Sequence, residues 1–506
     1  MKHLALACSM LLACAAANAQ SPLADLIRDG ERAAALRALE SPDVDVNAAQ
    51  GDGTTPLHWA VYKLDRELVA ELLERGASAD VTNEYGSSPL AEAVKLGDLA
   101  LVRQLLDAGA DVESPNGDGQ TALMLAARIG ALDIAQLLVE RGADVDAKEA
   151  WRDQTALMWA VDGNHAELTQ FLIDHGADVN ARASANDWDT QITSEPRAQY
   201  RPVGGLTPLL YAARSGCTRC VRSLLAAGAD PDLPTPEGMT PLMIAIDNQR
   251  YDTARVLLDG GANPHFWDWY GRTALYIAVD MNTFRGRLSH PTRSSETSAF
   301  DMARILLESG VNPNAQLNMH RPSRGGNIGR FADEMLTTGT TPLLRAAIGG
   351  DVEMIRLLLE HGALVDLPNV QGVTPLMAAA GHVSGRNRLF NAEPQTQERA
   401  IEMLDLLLAA GADVNARLPD EFSLSARVGR QPSALVEREG QTALYGAVKF
   451  GWTKVVEYLL AHGADPNVKD AHGKTPLDGA LGAIGGRDNT PSEEIAARLR
   501  AASASR

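Results

Sequence analysis

Two cysteines separated by two residues form the most reactive pairing in the sequence, Cys217 and Cys220 in the fragment SGCTRC. A CxxC pair occurs in thiol–disulfide oxidoreductases, at haem attachment sites and in many zinc sites. Val221 rather than His follows the pair, which excludes haem attachment, and the chain has only two other cysteines, Cys8 and Cys14. A local disulfide, two thiols that serve only packing, and redox catalysis stay open.

The first nineteen residues predict export. Two polar residues precede an apolar run from 4 to 17, and Ala-Asn-Ala stands directly before Gln20. This pattern is typical of a signal peptide over residues 1–19, cleaved between Ala19 and Gln20. We therefore expect a periplasmic or secreted protein. The alternative takes LLAC as a lipobox, so that Cys14 becomes the acylated first residue of a lipoprotein. Cleavage after Ala19 leaves Cys217 and Cys220 as the only cysteines of the mature chain, which rules out a four-cysteine zinc site.

Charge and missing motifs exclude several functions. The 506 residues include 46 Lys and Arg against 65 Asp and Glu, a formal net charge of -19, which disfavours binding to nucleic acid. The mature sequence has no HExxH, GxSxG or P-loop motif, and no histidine pair has metal-ligand spacing on one helix. No later segment is as long and apolar as a membrane span requires. We expect no catalytic site, cofactor, metal or transmembrane segment.

One motif recurs along the chain, mostly at intervals of 33 or 34 residues. It begins with Thr or Ser, which caps a helix, and Pro often follows at the first helical position, as in TPLHWA at Thr55. A second apolar-periodic run then ends near a glycine such as Gly76 or Gly142. Another glycine precedes the capping residue by two positions in most repeats, which predicts a tight turn with positive φ. The predicted helix–turn–helix repeats begin near residues 21, 55, 88, 121, 155, 207, 240, 273, 341, 374, 442 and 475.

The period, the TPLHxA element and the GADVN linker resemble ankyrin repeats. The resemblance implies an all-α solenoid of about twelve repeats over residues 20–506, with hairpin fingers between repeats and a concave face built from the fingers and the first helices. Together with the signal peptide it suggests an exported bacterial protein of this family. Five insertions interrupt the period, near 182–205, 281–298, 316–339, 381–398 and 417–440.

The sequence HFWDWYG, His265 to Gly271, is the strongest candidate for partner contact. Trp267 and Trp269 stand where other repeats carry small residues, Pro or Lys, so we expect both near a finger tip. Phe266 stands where other repeats carry Ala, Ser, Leu or Val, so we expect it to be packed. We predict that Trp267, Trp269 and Tyr270 form part of a recognition patch; the alternative is that they pack against the inserted loops.

A second set of candidates lies at the ends of first helices, at positions that vary between repeats. These residues are Tyr62, Lys95, Arg128 and Phe450. We interpret the whole as a monomeric, non-catalytic scaffold that binds a protein partner through its concave face and fingers. One alternative is a redox-responsive binder or thiol–disulfide oxidoreductase using Cys217 and Cys220, and another is a lipoprotein tethering factor acylated at Cys14. In the repeat register Cys217 opens a second helix and Cys220 points into the core.

Overall fold

The computed structural model describes residues 22–186, 203–283, 295–318, 338–381, 396–419, 438–484 and 491–505. Within these residues the helices form twelve consecutive pairs, each a first and a second helix of one repeat. They are α1 (Pro22–Arg28), α2 (Arg32–Leu39), α3 (Pro56–Tyr62), α4 (Arg66–Glu74), α5 (Pro89–Leu96), α6 (Leu99–Asp107), α7 (Ala122–Ile129), α8 (Leu132–Glu140), α9 (Ala156–Asp162), α10 (Ala166–Asp174), α11 (Pro208–Ser215), α12 (Thr218–Ala226), α13 (Pro241–Asp247), α14 (Tyr251–Asp259), α15 (Ala274–Thr283), α16 (Ala299–Glu308), α17 (Pro342–Gly349), α18 (Val352–Glu360), α19 (Pro375–Ala379), α20 (Gln397–Ala409), α21 (Ala443–Lys449), α22 (Thr453–Ala461), α23 (Pro476–Ala480) and α24 (Glu493–Ala504). The all-α repeat fold predicted from the sequence is confirmed.

Threonine caps start most of the first helices. The Thr341 hydroxyl accepts a hydrogen bond from the Leu344 backbone N–H at 3.1 Å, and Pro342 occupies the first turn. In α3 the cap is reciprocal, because the His58 ring Nδ1 also accepts from the Thr55 backbone N–H at 3.2 Å. These bonds satisfy N–H groups that have no partner within the helix, as the motif predicted.

The glycine before each cap takes a left-handed conformation. Gly86, for example, has φ 68°, and a Cβ there would lie 2.2 Å from the backbone nitrogen of Gly117 in the next finger. Any side chain would therefore separate two neighbouring fingers. Asp153 stands at the one junction without this glycine and has φ 54°, so the turn keeps its shape there.

The described residues fall into two compact units, which are treated separately below. Of the described residues, unit 1 contains 22–186 and 204–230, and unit 2 contains 203 and those from 231 onward. In each unit every first helix packs on the first helix of the next repeat, and most of the second helices pack in the same way. The core between these layers consists of buried aliphatic side chains such as Leu101 and Ile134 in unit 1 and Leu358 in unit 2.

Two short strands, β1 (Ala185–Asn186) and β2 (Val203–Gly204), pair in a two-stranded sheet within the first insertion, near its two ends. Most of the five predicted insertions lie outside the described residues, as do Cys14, Ala19 and Gln20. The single array over residues 20–506 stays a prediction.

Candidate protein-binding surfaces

One buried carboxylate shapes the turn of residues His265 to Gly271, which we call the aromatic finger. The backbone turn closes where the Asp268 N–H donates to the Arg272 carbonyl at 3.0 Å and the Gly271 N–H donates to the Asp268 carbonyl at 2.8 Å. The Asp268 Oδ1 accepts from the Tyr270 N–H at 3.0 Å and from the Arg272 N–H at 2.8 Å. An Asp side chain that accepts backbone N–H groups in this way stabilises a local turn.

The second oxygen of this carboxylate forms a buried ion pair. Asp268 Oδ2 lies 2.6 Å from Arg272 Nε, and the two side chains are 0% and 12% exposed. The Asp247 carboxylate lies 3.7 Å from the same guanidinium. Burial raises the pKa of the Asp268 carboxyl, because desolvation disfavours its charged form, and the Arg272 guanidinium opposes this shift. The tip of the finger is thus held by charge-assisted hydrogen bonds that water barely reaches.

The aromatic finger presents its two tryptophans to solvent. Trp267 is 63% exposed and Trp269 is 48% exposed. Tyr270 is only 3% exposed, and its ring lies over the Arg272 guanidinium with 5.4 Å between the guanidinium carbon and the ring centroid. A partner can therefore contact the two indoles directly, whereas Tyr270 supports the turn from beneath.

The expectation that Phe266 is packed is wrong. Its side chain is 42% exposed. The equivalent residues Leu233 and Leu367 are themselves only partly buried, so the larger Phe ring extends into solvent from a position that covers a leucine incompletely. Phe266 therefore adds apolar area to the aromatic finger.

The second set of candidates divides between the two units. Tyr62, Lys95 and Arg128 lie in unit 1 at or near the ends of α3, α5 and α7, and all three are exposed. Phe450 lies in unit 2, where its half-buried ring packs against Gly381 and against Trp452, with ring centroids 5.5 Å apart. Three of the four predicted residues are thus available to a partner, in a different unit from the aromatic finger.

Two of the most exposed aromatic side chains were missed by the sequence analysis. Tyr85 is 75% exposed and Trp151 is 74% exposed, and each lies in a finger of unit 1. Counted back from the capping residue, Trp151 stands at the position of Trp269 and Tyr85 at the position of Tyr270. The same alignment that singled out HFWDWYG would have found both.

A disulfide joins Cys217 and Cys220 at the start of α12, with 5.2 Å between their Cα atoms. Cys217 is the N-cap residue and Cys220 lies in the core; they are 1% and 0% exposed. Thiol–disulfide exchange requires an attacking thiolate to reach a sulfur atom. Neither sulfur offers that access here, which weighs against the redox-catalysis alternative.

The described ranges also bear on metal binding and on membrane insertion. Among those residues no group of three or more His, Cys, Asp or Glu side chains is arranged to hold a metal ion. None of the helices of that part of the chain has the length and apolar character needed to cross a bilayer.

Family models identify the repeats. The model described as "Ankyrin repeats (3 copies)" matches residues 10–116, 90–183, 190–268, 209–317 and 319–418, and "Ankyrin repeats (many copies)" matches residues 431–480. These matches cover most of the sequence, so the chain belongs to the ankyrin-repeat family. Ankyrin repeats generally serve as protein–protein interaction scaffolds.

Curated relatives share only part of their length with this chain. "Ankyrin repeat and SOCS box protein 16" of Mus musculus is 32% identical over 159 residues, which are 31% of this chain and 29% of the relative. "Ankyrin repeat and MYND domain-containing protein 1" of Homo sapiens is 32% identical over 155 residues, 25% of this chain and 15% of the relative. Among solved structures, the human ASB11 ankyrin repeat domain aligns with 48% of this chain and 100% of its own, at 23% identity and a TM-score of 0.39.

Proposed function

We propose that this protein is an exported, monomeric and non-catalytic scaffold that binds a protein partner through the aromatic finger. One observation carries the proposal: Trp267 and Trp269 are both exposed, and both stand on a backbone turn that a buried ion pair fixes. Exposed tryptophans are the side chains most often responsible for binding energy at protein interfaces. A rigid turn lowers the conformational entropy that binding must otherwise remove.

The neighbouring finger supports this surface. The Trp269 backbone N–H donates to the Glu237 carbonyl at 2.8 Å, so the tip is tied to the preceding finger of unit 2. Trp267 pairs with Thr273 in an isolated antiparallel bridge, which ties down the other side of the hairpin. The two indoles therefore project from a backbone that is held at three points, and a partner meets a preformed surface.

Crosslinked co-purification from the exported fraction tests the proposal. The comparison is between wild type, a Trp267→Ala/Trp269→Ala variant, and a Tyr85→Ala/Trp151→Ala variant that removes even more exposed aromatic rings from other fingers. We expect the first variant to lose specific partners that the second retains, with thermal unfolding unchanged in both because no buried side chain is altered. Identical partner lists from wild type and the Trp267→Ala/Trp269→Ala variant would refute the choice of surface.

Export rests on the signal-peptide pattern and has its own measurement. Mass spectrometry of the mature N-terminus from the periplasmic fraction should give Gln20 as the first residue. An N-terminal acylated Cys14 would instead establish the lipoprotein alternative. An intact Met1 in the cytoplasmic fraction would refute export.

A further inference from the structure

Leu64 occupies a backbone conformation that a leucine rarely adopts. It follows α3 with φ 57°, in the left-handed region, where most of the equivalent residues are glycines such as Gly97 with φ 71° and Gly130 with φ 75°. A side chain with a Cβ is disfavoured there, and leucine lacks the local hydrogen bonds that help Asn or Asp. The Leu64 side chain is also 49% exposed, so only about half of it is buried to offset this strain. Local conformation does not account for a leucine at this site, and the other half of its apolar side chain is left in water.

Leu64 lies in an accessible groove of about 700 Å³ in unit 1, which it lines together with Leu96 and Leu99. Charged side chains of both signs line the rest of the groove: Arg66, Asp98, Arg103 and Asp107. Tyr62 is 53% exposed on one side of Leu64, Leu96 is 38% exposed, and Ile129 is 40% exposed at the position of Leu96 in the next repeat. Three successive repeats thus expose large apolar side chains at the same end of their first helices.

A cation accompanies each of these apolar residues. Lys63 stands between Tyr62 and Leu64, Lys95 precedes Leu96, and Arg128 precedes Ile129. All three cations are exposed, and their contacts are loose: Lys63 lies 6.0 Å from the Tyr62 ring centroid, Arg128 lies 6.0 Å from the Trp159 ring centroid, and Lys95 lies 3.6 Å from the Glu92 carboxylate. This alternation of cation and apolar side chain stands out in a chain whose net charge is -19.

We propose that this surface binds an amphipathic segment of a partner protein that carries acidic and apolar side chains on one face. We call the surface the unit 1 stripe: Tyr62, Lys63, Leu64, Lys95, Leu96, Arg128 and Ile129. The inference rests on the proposed function as a protein-binding scaffold and adds the chemistry of a partner. Apolar side chains of the segment pack on Leu64, Leu96 and Ile129, and carboxylates pair with the three cations. A basic segment would be repelled by the three cations of the stripe.

Leu64→Gly is a variant that separates binding from folding. Glycine removes the steric strain of the left-handed conformation, which offsets the loss of a half-buried side chain and the added freedom of the unfolded chain, so the variant should unfold close to the wild-type temperature. The same substitution removes the apolar side chain that a partner would cover. Gln249→Gly is the matched control, because Gln249 has φ 59° at the equivalent position of another repeat.

The probe is a fluorescently labelled synthetic helix of Leu and Glu, titrated with the full chain and followed by anisotropy. Two control peptides replace every Glu by Lys or every Leu by Ser. We expect only the Leu–Glu peptide to bind. It should bind Leu64→Gly about fivefold more weakly than wild type, because a bound partner would cover the exposed half of the leucine side chain. The Lys95→Glu/Arg128→Glu variant should weaken binding at least about tenfold. Gln249→Gly and Lys148→Glu, a charge reversal at another exposed lysine of unit 1, should bind like wild type.

Several results would overturn the proposal. Equal affinity of the Leu–Glu peptide for wild type and Leu64→Gly would show that Leu64 does not contact the peptide. Equal affinity of wild type for the Lys peptide and the Leu–Glu peptide would show that the three cations do not select for acidic side chains. Binding to phosphatidylglycerol vesicles that depends on Lys95 and Arg128 but not on Leu64 would reassign the stripe to a membrane surface. The two proposals fail separately, because Trp267→Ala/Trp269→Ala tests the aromatic finger and leaves the stripe unaltered.

Discussion

Replacement of Asp268 by Asn should loosen the aromatic finger without changing the shape of its turn. Asn83 and Asn369 stand at the same position of other fingers, and the Oδ1 of each accepts two backbone N–H groups at 3.0–3.1 Å, as Asp268 does. Asp268→Asn therefore keeps the turn acceptor. It removes only the bond of 2.6 Å between the carboxylate and Arg272 Nε.

The size of the effect follows from the burial of the pair. Removal of one partner of a buried ion pair costs about 3–5 kcal/mol, because the other charge is left without compensation. Arg272 is 12% exposed and keeps the Asp247 carboxylate at 3.7 Å, so we expect a smaller loss of about 2–3 kcal/mol. Asp268→Ala also removes the acceptor of two backbone N–H groups and should cost about 1–3 kcal/mol more.

Hydrogen exchange at the Trp269 amide measures this loss locally, since that N–H donates to Glu237 across the two fingers. If the finger opens as a unit, 2–3 kcal/mol corresponds to exchange that is about 30- to 150-fold faster in Asp268→Asn. Asp247→Asn is the control, because it removes the same charge from a longer and more exposed contact and should cost less than about 1 kcal/mol. Equal exchange rates in the two variants would refute the conclusion that the Asp268–Arg272 pair fixes the finger.

Three further predictions concern stability. Burial lowers the pKa of His58 below its ordinary value of 6.5. Unit 1 should therefore lose up to about 1.4 kcal/mol of stability per pH unit as the pH falls below about 6.5. Thermal melts of His58→Gln between about pH 7.5 and 5.5 should lack this dependence, and the same dependence of stability on pH in the variant and in wild type would contradict the prediction. Cys217→Ala/Cys220→Ala should lower the free energy of unfolding of unit 1 by about 2 kcal/mol in a urea titration, because the disulfide closes a loop of four residues. Capture of the partner should be unchanged. Loss of capture would favour the redox-responsive alternative. Arg345→Met should cost unit 2 up to about 3–5 kcal/mol, because it removes the guanidinium that lies 2.7 Å from the Asp280 carboxylate, which is 3% exposed. Arg345→Met/Asp280→Leu should cost much less, and a double variant at least as unstable as the single one would contradict this.

The helix starts could be predicted because their signals are local. Thr207 caps α11 with the Leu210 N–H at 3.3 Å, and Pro208 lies next to it in the sequence. The capping bond joins residues three apart, so its geometry depends little on the rest of the chain. The same holds for the left-handed glycines before each cap, whose positions were read from the repeat register.

The exposure of finger aromatics could not be predicted in this way. Tyr85 and Tyr270 occupy the same register position, yet they are 75% and 3% exposed. One difference is the residue two further on: Arg272 places its guanidinium against the Tyr270 ring, whereas Ser87 has no such group to offer Tyr85. Arg272 is itself held there by Asp268, and the Asn318 N–H donates to the Tyr270 carbonyl at 2.8 Å, so the surroundings of Tyr270 include contacts that a column of aligned residues does not contain.

The strain at Leu64 could not be predicted from the sequence either, for a different reason. The register identifies its position as one that favours glycine, but the strain is visible only once φ is known to be 57° there and the side chain is known to be half exposed. A leucine could have shifted the turn instead, as happens when a helix end can unwind by a residue. The fold holds the turn because the Asp65 N–H donates to the Ala60 carbonyl at 3.1 Å directly after it.

The fingers that carry Trp151 and Trp269 each expose an indole above a buried carboxylate, but the carboxylate comes from a different position in the repeat. In the finger of Trp151 the buried carboxylate belongs to Glu149, whose two oxygens accept from the Trp151, Arg152 and Gln154 N–H groups at 2.7, 2.7 and 3.2 Å. That side chain is one methylene longer than Asp268 and comes one residue earlier in the register, and it accepts from the N–H directly before the cap, that of Gln154, as Asp268 accepts from that of Arg272. In both fingers a carboxylate buried under the tip stabilises the backbone that presents an exposed indole. The turn itself accepts either residue type at this position, since an asparagine satisfies it at Asn83 and Asn369 and a buried aspartate satisfies it at Asp470, beneath Ala471 rather than an indole; what distinguishes Asp268 is therefore its ion pair with Arg272 and not the burial of a carboxylate alone.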